Sequence, residues 1–142
     1  MDETVLTPLS DERENVIREI SDMIVVGALE GTRIETLLEA VCERFDADVA
    51  PLARGHIAMS TLHPLLEAES RTWKRGEGSI RSGFAHDGPK DQWNDSPLRV
   101  LIESDSMEMR MRLEASDEYS EFPVLAEFRE NGITDYFAAL TP

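Results

Sequence analysis

RGHIAMSTLHPLLEAESRTWKRG, residues 54–76, alternates twice. Ile57, Met59 and Thr61 interleave with His56, Ala58, Ser60 and Leu62, a period of two that predicts a strand with two unlike faces. Beyond His63-Pro64 the alternation resumes. Leu66, Ala68, Ser70 and Thr72 make a small face suited to burial, and Glu67, Glu69, Arg71, Trp73 and Arg75 make a face of long side chains. The two runs predict a β-hairpin that can supply the floor and rim of a binding pocket. No recognisable catalytic constellation accompanies it, which points to binding rather than chemistry.

Helical periods flank the hairpin. Ser10 followed by Asp11 and Glu12 suits a helix start, with acids where the helix dipole favours them. Val16, Ile20, Ile24 and Gly27 recur at helical spacing, so Val16 to Ala28 reads as an amphipathic helix. Ile17, Met23, Val25 and Val26 widen its apolar surface, which serves either docking on its own domain or a partner helix in a homodimer through residues 16–28. Thr32 and Glu35 have capping-box spacing, and Ile34, Leu37, Leu38, Val41 and Phe45 form the stripe of a second helix with Cys42 beside it as a small buried hydrophobe. Residues 1–9 read as a loose leader, and 10–142 as one domain.

Gly76 to Asp95 is rich in Gly, Asp and Ser and reads as a long loop, either a binding segment or disorder. Ser96-Pro97 opens a short helix with Leu98, Leu101 and Ile102 on its apolar side. Met107, Met109, Met111 and Leu113 then alternate with Glu108, Arg110, Arg112 and Glu114, a strand buried on one face. The methionines are core or the flexible lining of a ligand cavity. Phe122-Pro123 opens another helix, stopped by Asn131-Gly132, and Ile133 to Leu140 is a final strand.

Composition excludes several classes. A net charge of −15 and a pI near 4.5 oppose binding to nucleic acid or an anionic membrane, since both need a basic surface. No apolar run approaches the roughly 20 residues of a membrane span, and the N-terminus lacks the order of a signal peptide, so a cytoplasmic location is expected. One cysteine provides neither a disulfide framework nor a zinc cluster. GEG at 76–78 lacks the remaining glycines and the lysine of a phosphate loop, and His56, His63 and His86 lack metal-ligand spacing, so no catalytic or metal residue is assigned. The candidate ligand contacts are His63, Trp73, Arg75, Trp93, Asp135 and Tyr136. Aromatic faces beside a guanidinium suit a planar or anionic small molecule held between the sheet and the 76–95 loop, and Asp135 either caps the preceding turn or orients that ligand.

The element order, helix, hairpin, long loop, short helix, strand, helix and strand, resembles a GAF domain, and FPVLAEFRENGITDYFAAL (122–140) looks like that fold's closing helix and strand. More narrowly, RGHIAMSTLHPLLEAESRTWKRGEG, WNDSPLR and the 122–140 segment are similar to the N-terminal regulatory region of bacterial soluble class III adenylate/guanylate cyclases. The similarity covers roughly residues 28–142 and rests on T-L-H-P at 61–64, W-x-R-G at 73–76, S-P-L at 96–98 and G-x-T-D-Y at 132–136. It implies an α+β, GAF-like fold, a central antiparallel sheet flanked by helices with an N-terminal amphipathic helix. It also implies a sensor or dimerisation role that adjusts cyclic nucleotide synthesis by a cyclase domain placed after Pro142. The divalent metal and the catalytic residues would belong to that domain, with no cofactor in this chain. The alternative is a ligand-free dimerisation scaffold.

Overall fold

The computed structural model describes residues 10–60, 66–85, 95–114 and 122–141. Over these residues the protein is α+β, with four helices and two small antiparallel sheets. Its contacts group into two compact units, residues 1–86 and 87–142, and among the described residues a three-stranded and a two-stranded sheet stand where the resemblance implies one central sheet. Each unit has its own apolar core.

In the first unit, α1 (Asp11–Leu29) begins at Ser10, whose hydroxyl accepts a hydrogen bond from the Arg13 amide. It ends on a left-handed glycine, Gly31 at φ 71°: the amides of Thr32 and Gly31 bond back to the carbonyls of Gly27 and Ala28, the Schellman arrangement that satisfies otherwise orphaned carbonyls. The chain then reverses into α2 (Ile34–Asp48). The two helices meet closely at Gly27, where a side-chain methyl would stand 2.9 Å from Leu37 Cδ1, and Arg44 of α2 reaches Glu19 of α1 at 2.6 Å. Val16, Ile20 and Val49 form the buried centre, with Ile17, Val41 and Phe45 around it.

The predicted capping box does not form. Arg33 rather than Thr32 is the N-cap of α2, and its guanidinium has no acceptor with which to cap the helix; the Glu35 carboxylate accepts from Arg71, 2.8 Å away.

β1 (Arg54–Ser60), β2 (Leu66–Lys74) and β3 (Gly78–Ala85) form a sheet in that order, all antiparallel. The hairpin of residues 54–76 is thus present, with Arg54 opposite Lys74 and Ser60 opposite Ala68; its turn at residues 61–65 lies outside the described residues. β3 corrects the loop reading of Gly76–Asp95 over Gly78–Ala85, while residues 86–94 lie outside the described residues. Gly76 and Gly78, at φ 78° and 76°, bracket a tight reversal, and the Glu77 amide bonds the Lys74 carbonyl at 3.0 Å, so the glycines that suggest a loop are the turn of a second hairpin.

Burial also crosses the predicted faces. Gly55 lies against Cys42 and Leu38 of α2, so the sheet face that α2 covers carries Gly55, Arg71 and Trp73, and these long side chains are inside together with Ser70 of the small face, which is 2% exposed. Burying these aromatic and aliphatic stems removes more apolar area from water than burying Ala68 and Thr72 would.

The second unit contains α3 (Pro97–Glu103), β4 (Glu108–Arg112), α4 (Pro123–Glu130) and β5 (Asp135–Ala139). Ser96 caps α3 by accepting from the Leu98 amide, with Pro97 at the first helical position. β4 and β5 pair antiparallel, Met111 opposite Tyr136. Met111, Leu113, Phe122, Leu125 and Phe128 form the core, with Met109 packed against it, while Met107 is exposed and belongs to neither a core nor a lining.

Candidate functional site

Trp73 is 3% exposed, set in the face of the first sheet that α2 covers. It is a core residue, not the mouth of a cleft. Arg75, just past the end of β2, grips the C-terminal part of α2: its Nε and Nη2 donate to the two carboxylate oxygens of Asp46 at 2.9 and 2.6 Å, a bidentate fork. Asp46 also accepts the Leu52 amide at 2.7 Å. The Arg75 bond first, and then that amide, hold the Asp46 carboxyl below its ordinary range. This guanidinium, a candidate ligand contact, ties the sheet to the helix.

Asp135 lies in the second unit, where Arg110 donates to it at 2.9 Å and the Thr134 hydroxyl at 3.0 Å, so its carboxylate is engaged across the β4–β5 ladder. The Arg110 bond is the main reason its pKa is lowered. Tyr136 stacks against Phe128 with ring centroids 6.5 Å apart, and burial raises its phenol pKa. His63 and Trp93 lie outside the described residues. Trp73 and Arg75 therefore both lie at the C-terminal end of β2, in the first unit, and Asp135 and Tyr136 lie in the second.

A cluster missed in the sequence sits on the covered sheet face. Arg71, 5% exposed, is held between Glu35 of α2 at 2.8 Å and Glu69 of its own strand at 3.6 Å, and Arg81 of β3 closes the row by bonding Glu69. Glu35 is kept ionised by its own backbone amide and then by Arg71, and Glu69 by Arg81 above all. The strand alternation placed Glu69 and Arg71 on one face, but the third member comes from a helix 36 residues away, beyond any local pattern.

Neither Cys42 nor His56, among the described residues, has the setting of an activated nucleophile. Cys42 is buried, and desolvation pushes its thiol up to about 11. His56 Nδ1 meets the Thr72 hydroxyl at 2.8 Å. Among the described residues no three histidine, cysteine or acidic side chains are placed to hold a metal ion, and no helix is long and apolar enough to cross a membrane.

An unusual surface lies on α1. Val16, Ile20 and Gly27 face inward, yet Ile24, Val25, Val26 and Leu29 are exposed at 44, 57, 49 and 83%. Four large apolar side chains within six residues are more than scattered surface residues need explain. No protein-family model matches the chain, and no curated protein or solved structure is similar to it.

Proposed function

We propose that this chain is a non-catalytic regulatory module of a signalling protein, working as a homodimer and controlling a nucleotide cyclase in the same polypeptide. The cyclase and the GAF-like character come from the sequence resemblance. The structural observation that carries the module reading is the apolar cluster Ile24, Val25, Val26 and Leu29, whose combined exposure equals about two fully exposed side chains. Burying that much in each of two copies contributes roughly 7–14 kcal/mol, against an association cost of roughly 4–15 kcal/mol. The contact alone therefore supports a weak dimer that other changes can strengthen or release. A collapsed, ligand-free scaffold is the second reading, favoured by the burial of Trp73 and the engagement of Arg75 by Asp46.

The interface involves only part of the 16–28 helix. Val16 and Ile20 belong to the core of their own unit, so truncating the helix would unfold it, whereas Val25→Glu and Leu29→Glu change only the outer face. Light scattering at increasing concentration should show the native chain passing from monomer to dimer and Leu29→Glu remaining monomeric with an unchanged circular dichroism spectrum. A dimer indifferent to both substitutions would remove the basis of this reading.

A further inference from the structure

The side of α1 opposite its buried residues has two halves of different chemistry. At about 100° per residue, the face turned away from Val16, Ile20 and Gly27 carries Asp11, Glu14, Arg18 and Asp22 towards the N-terminus and Val25 and Leu29 towards the C-terminus, all exposed. The first turn holds Asp11, Glu12 and Glu14, whereas the last turn holds no cation and is followed by an exposed Glu30. The helix is thus apolar and without a cation at one end and charged along the rest.

Two copies that meet through Ile24, Val25, Val26 and Leu29 can run their helices in the same or in opposite directions, and the charged half decides between them. In the same direction, with axes roughly 8–10 Å apart, every residue stands level with its own counterpart. Asp11, Glu14, Arg18 and Asp22 would then each meet a like charge at about the screening length of physiological salt, and the helix dipoles would lie parallel. In opposite directions about a two-fold axis at Val25, the apolar residues still meet: Val25 lies beside the partner's Val25 and Ile24 level with the partner's Val26. Leu29 falls over the partner's Ser21, a small side chain whose hydroxyl already donates to the Ile17 carbonyl at 3.0 Å.

The charges now complement one another. Arg18 lies about 10 Å from the two-fold axis and Glu30 about 8 Å, so Arg18 comes level with the partner's Glu30 to within about 3 Å, a gap an arginine side chain spans. The carbonyl end of the partner's α1, which has no cation of its own, is at the same place. Glu14 runs on past that end towards the partner's Arg33, whose side chain is 82% exposed and lies 3.9 Å from Glu35. The acidic first turns, meanwhile, stand about 42 Å apart along the axis instead of side by side. We infer that α1 forms an antiparallel two-fold dimer with a second copy of this chain, the apolar cluster at the axis and Arg18 of each copy against the partner's Glu30. The inference rests on the homodimer proposed above and supplies its direction: apolar area drives association, and charge selects one packing of two.

Asn15, exposed and uncharged, serves as the reporter position. Asn15→Cys in the full chain takes a nitroxide label, with the native chain, whose Cys42 is buried, as the labelling control. Pulsed electron resonance should place the two labels about 30 Å apart. A separation of roughly 10–20 Å, the value for helices running in the same direction, overturns the inference and leaves the dimer standing. Charge reversal gives an independent readout. Glu30→Arg makes an acidic chain less acidic, so without a specific contact it should tighten the dimer. The antiparallel arrangement instead predicts a dissociation constant about 3–10-fold higher by light scattering, the same for Arg18→Glu, and recovery to within about twofold in the Arg18→Glu, Glu30→Arg double variant. A tighter Glu30→Arg dimer, or a double variant as weak as Arg18→Glu, overturns the inference. A native chain that stays monomeric at every concentration sinks the dimer reading, and this one with it.

Discussion

Replacing Gly55 with alanine tests the packing between α2 and the first sheet at its tightest point. A methyl at this position would fall well inside van der Waals contact of Cys42 Sγ, with Leu38 Cδ1 a further 3.9 Å neighbour. Cys42 is itself buried, so its sulfur has little room to retreat, and the overpacking should cost about 1–3 kcal/mol. For a chain of this size that lowers Tm by roughly 4–12 °C. Cys42→Ala alone should cost about 1 kcal/mol through the small void it leaves. The double variant is more informative. The alanine methyl at 55 would then face the Cys42 Cβ position at 3.8 Å, an ordinary contact, and would refill part of the space the sulfur left. Its loss of stability should be smaller than the sum of the two single losses, with a coupling of about 0.5–3 kcal/mol. Urea unfolding followed by tryptophan fluorescence measures all four corners of this cycle. Additive effects, or a Gly55→Ala chain as stable as the native one, would refute the assigned seam and with it the orientation of every side chain in the hairpin.

Acid should weaken the fold within a definable window. Glu35, Asp46, Glu69 and Asp135 all have folded-state pKa values below their ordinary ones, so their contribution is complete above the unfolded-state values near 4 and is lost as pH falls through the lower folded values. Tm should be flat from neutrality to about pH 5 and drop below it, with a shallower drop in Glu35→Gln; equal slopes would remove Glu35 from the account. Arg75→Ala should lower Tm by a few degrees, and Asp46→Asn in that background should add little more, because both break one fork. Full additivity would show that the fork does not operate. The isolated chain incubated with ATP or GTP and magnesium or manganese ions should yield no cyclic product by chromatography, and turnover that follows the purified chain would contradict a non-catalytic role.

The strands at 54–60 and 66–74 were legible because period-two alternation is a local property, and so were the Ser96-Pro97 helix start and the Asn131-Gly132 stop. That Arg71 and Trp73 would be buried along with Ser70 of the small face was not. Deciding it required knowing that α2 would press on Gly55, a contact between residues distant in sequence. β3 was obscured because Gly76, Gly78 and Gly83 lower strand propensity, and pairing with β2 overrides that preference. Among the candidate site residues, Trp73 and Arg75 were recognised as unusual, but the sequence could not show that the packing of their own unit already uses both.

The close approach at Gly27 gives α1 the geometry of a lever. The contact with Leu37 and the Gly31 reversal lie at one end of a 19-residue helix, and the exposed cluster from Ile24 to Leu29 lies beside them. The opposite end, at Asp11, is about 24 Å away along the axis. A tilt of about 10° around Gly27 would move that far end by about 4 Å while hardly displacing the apolar cluster. Val16 and Ile20 ride on that arm and are packed in the core of the first unit, so the same tilt would pull both out of contact, and the lever is latched by the roughly 3–6 kcal/mol that their burial contributes.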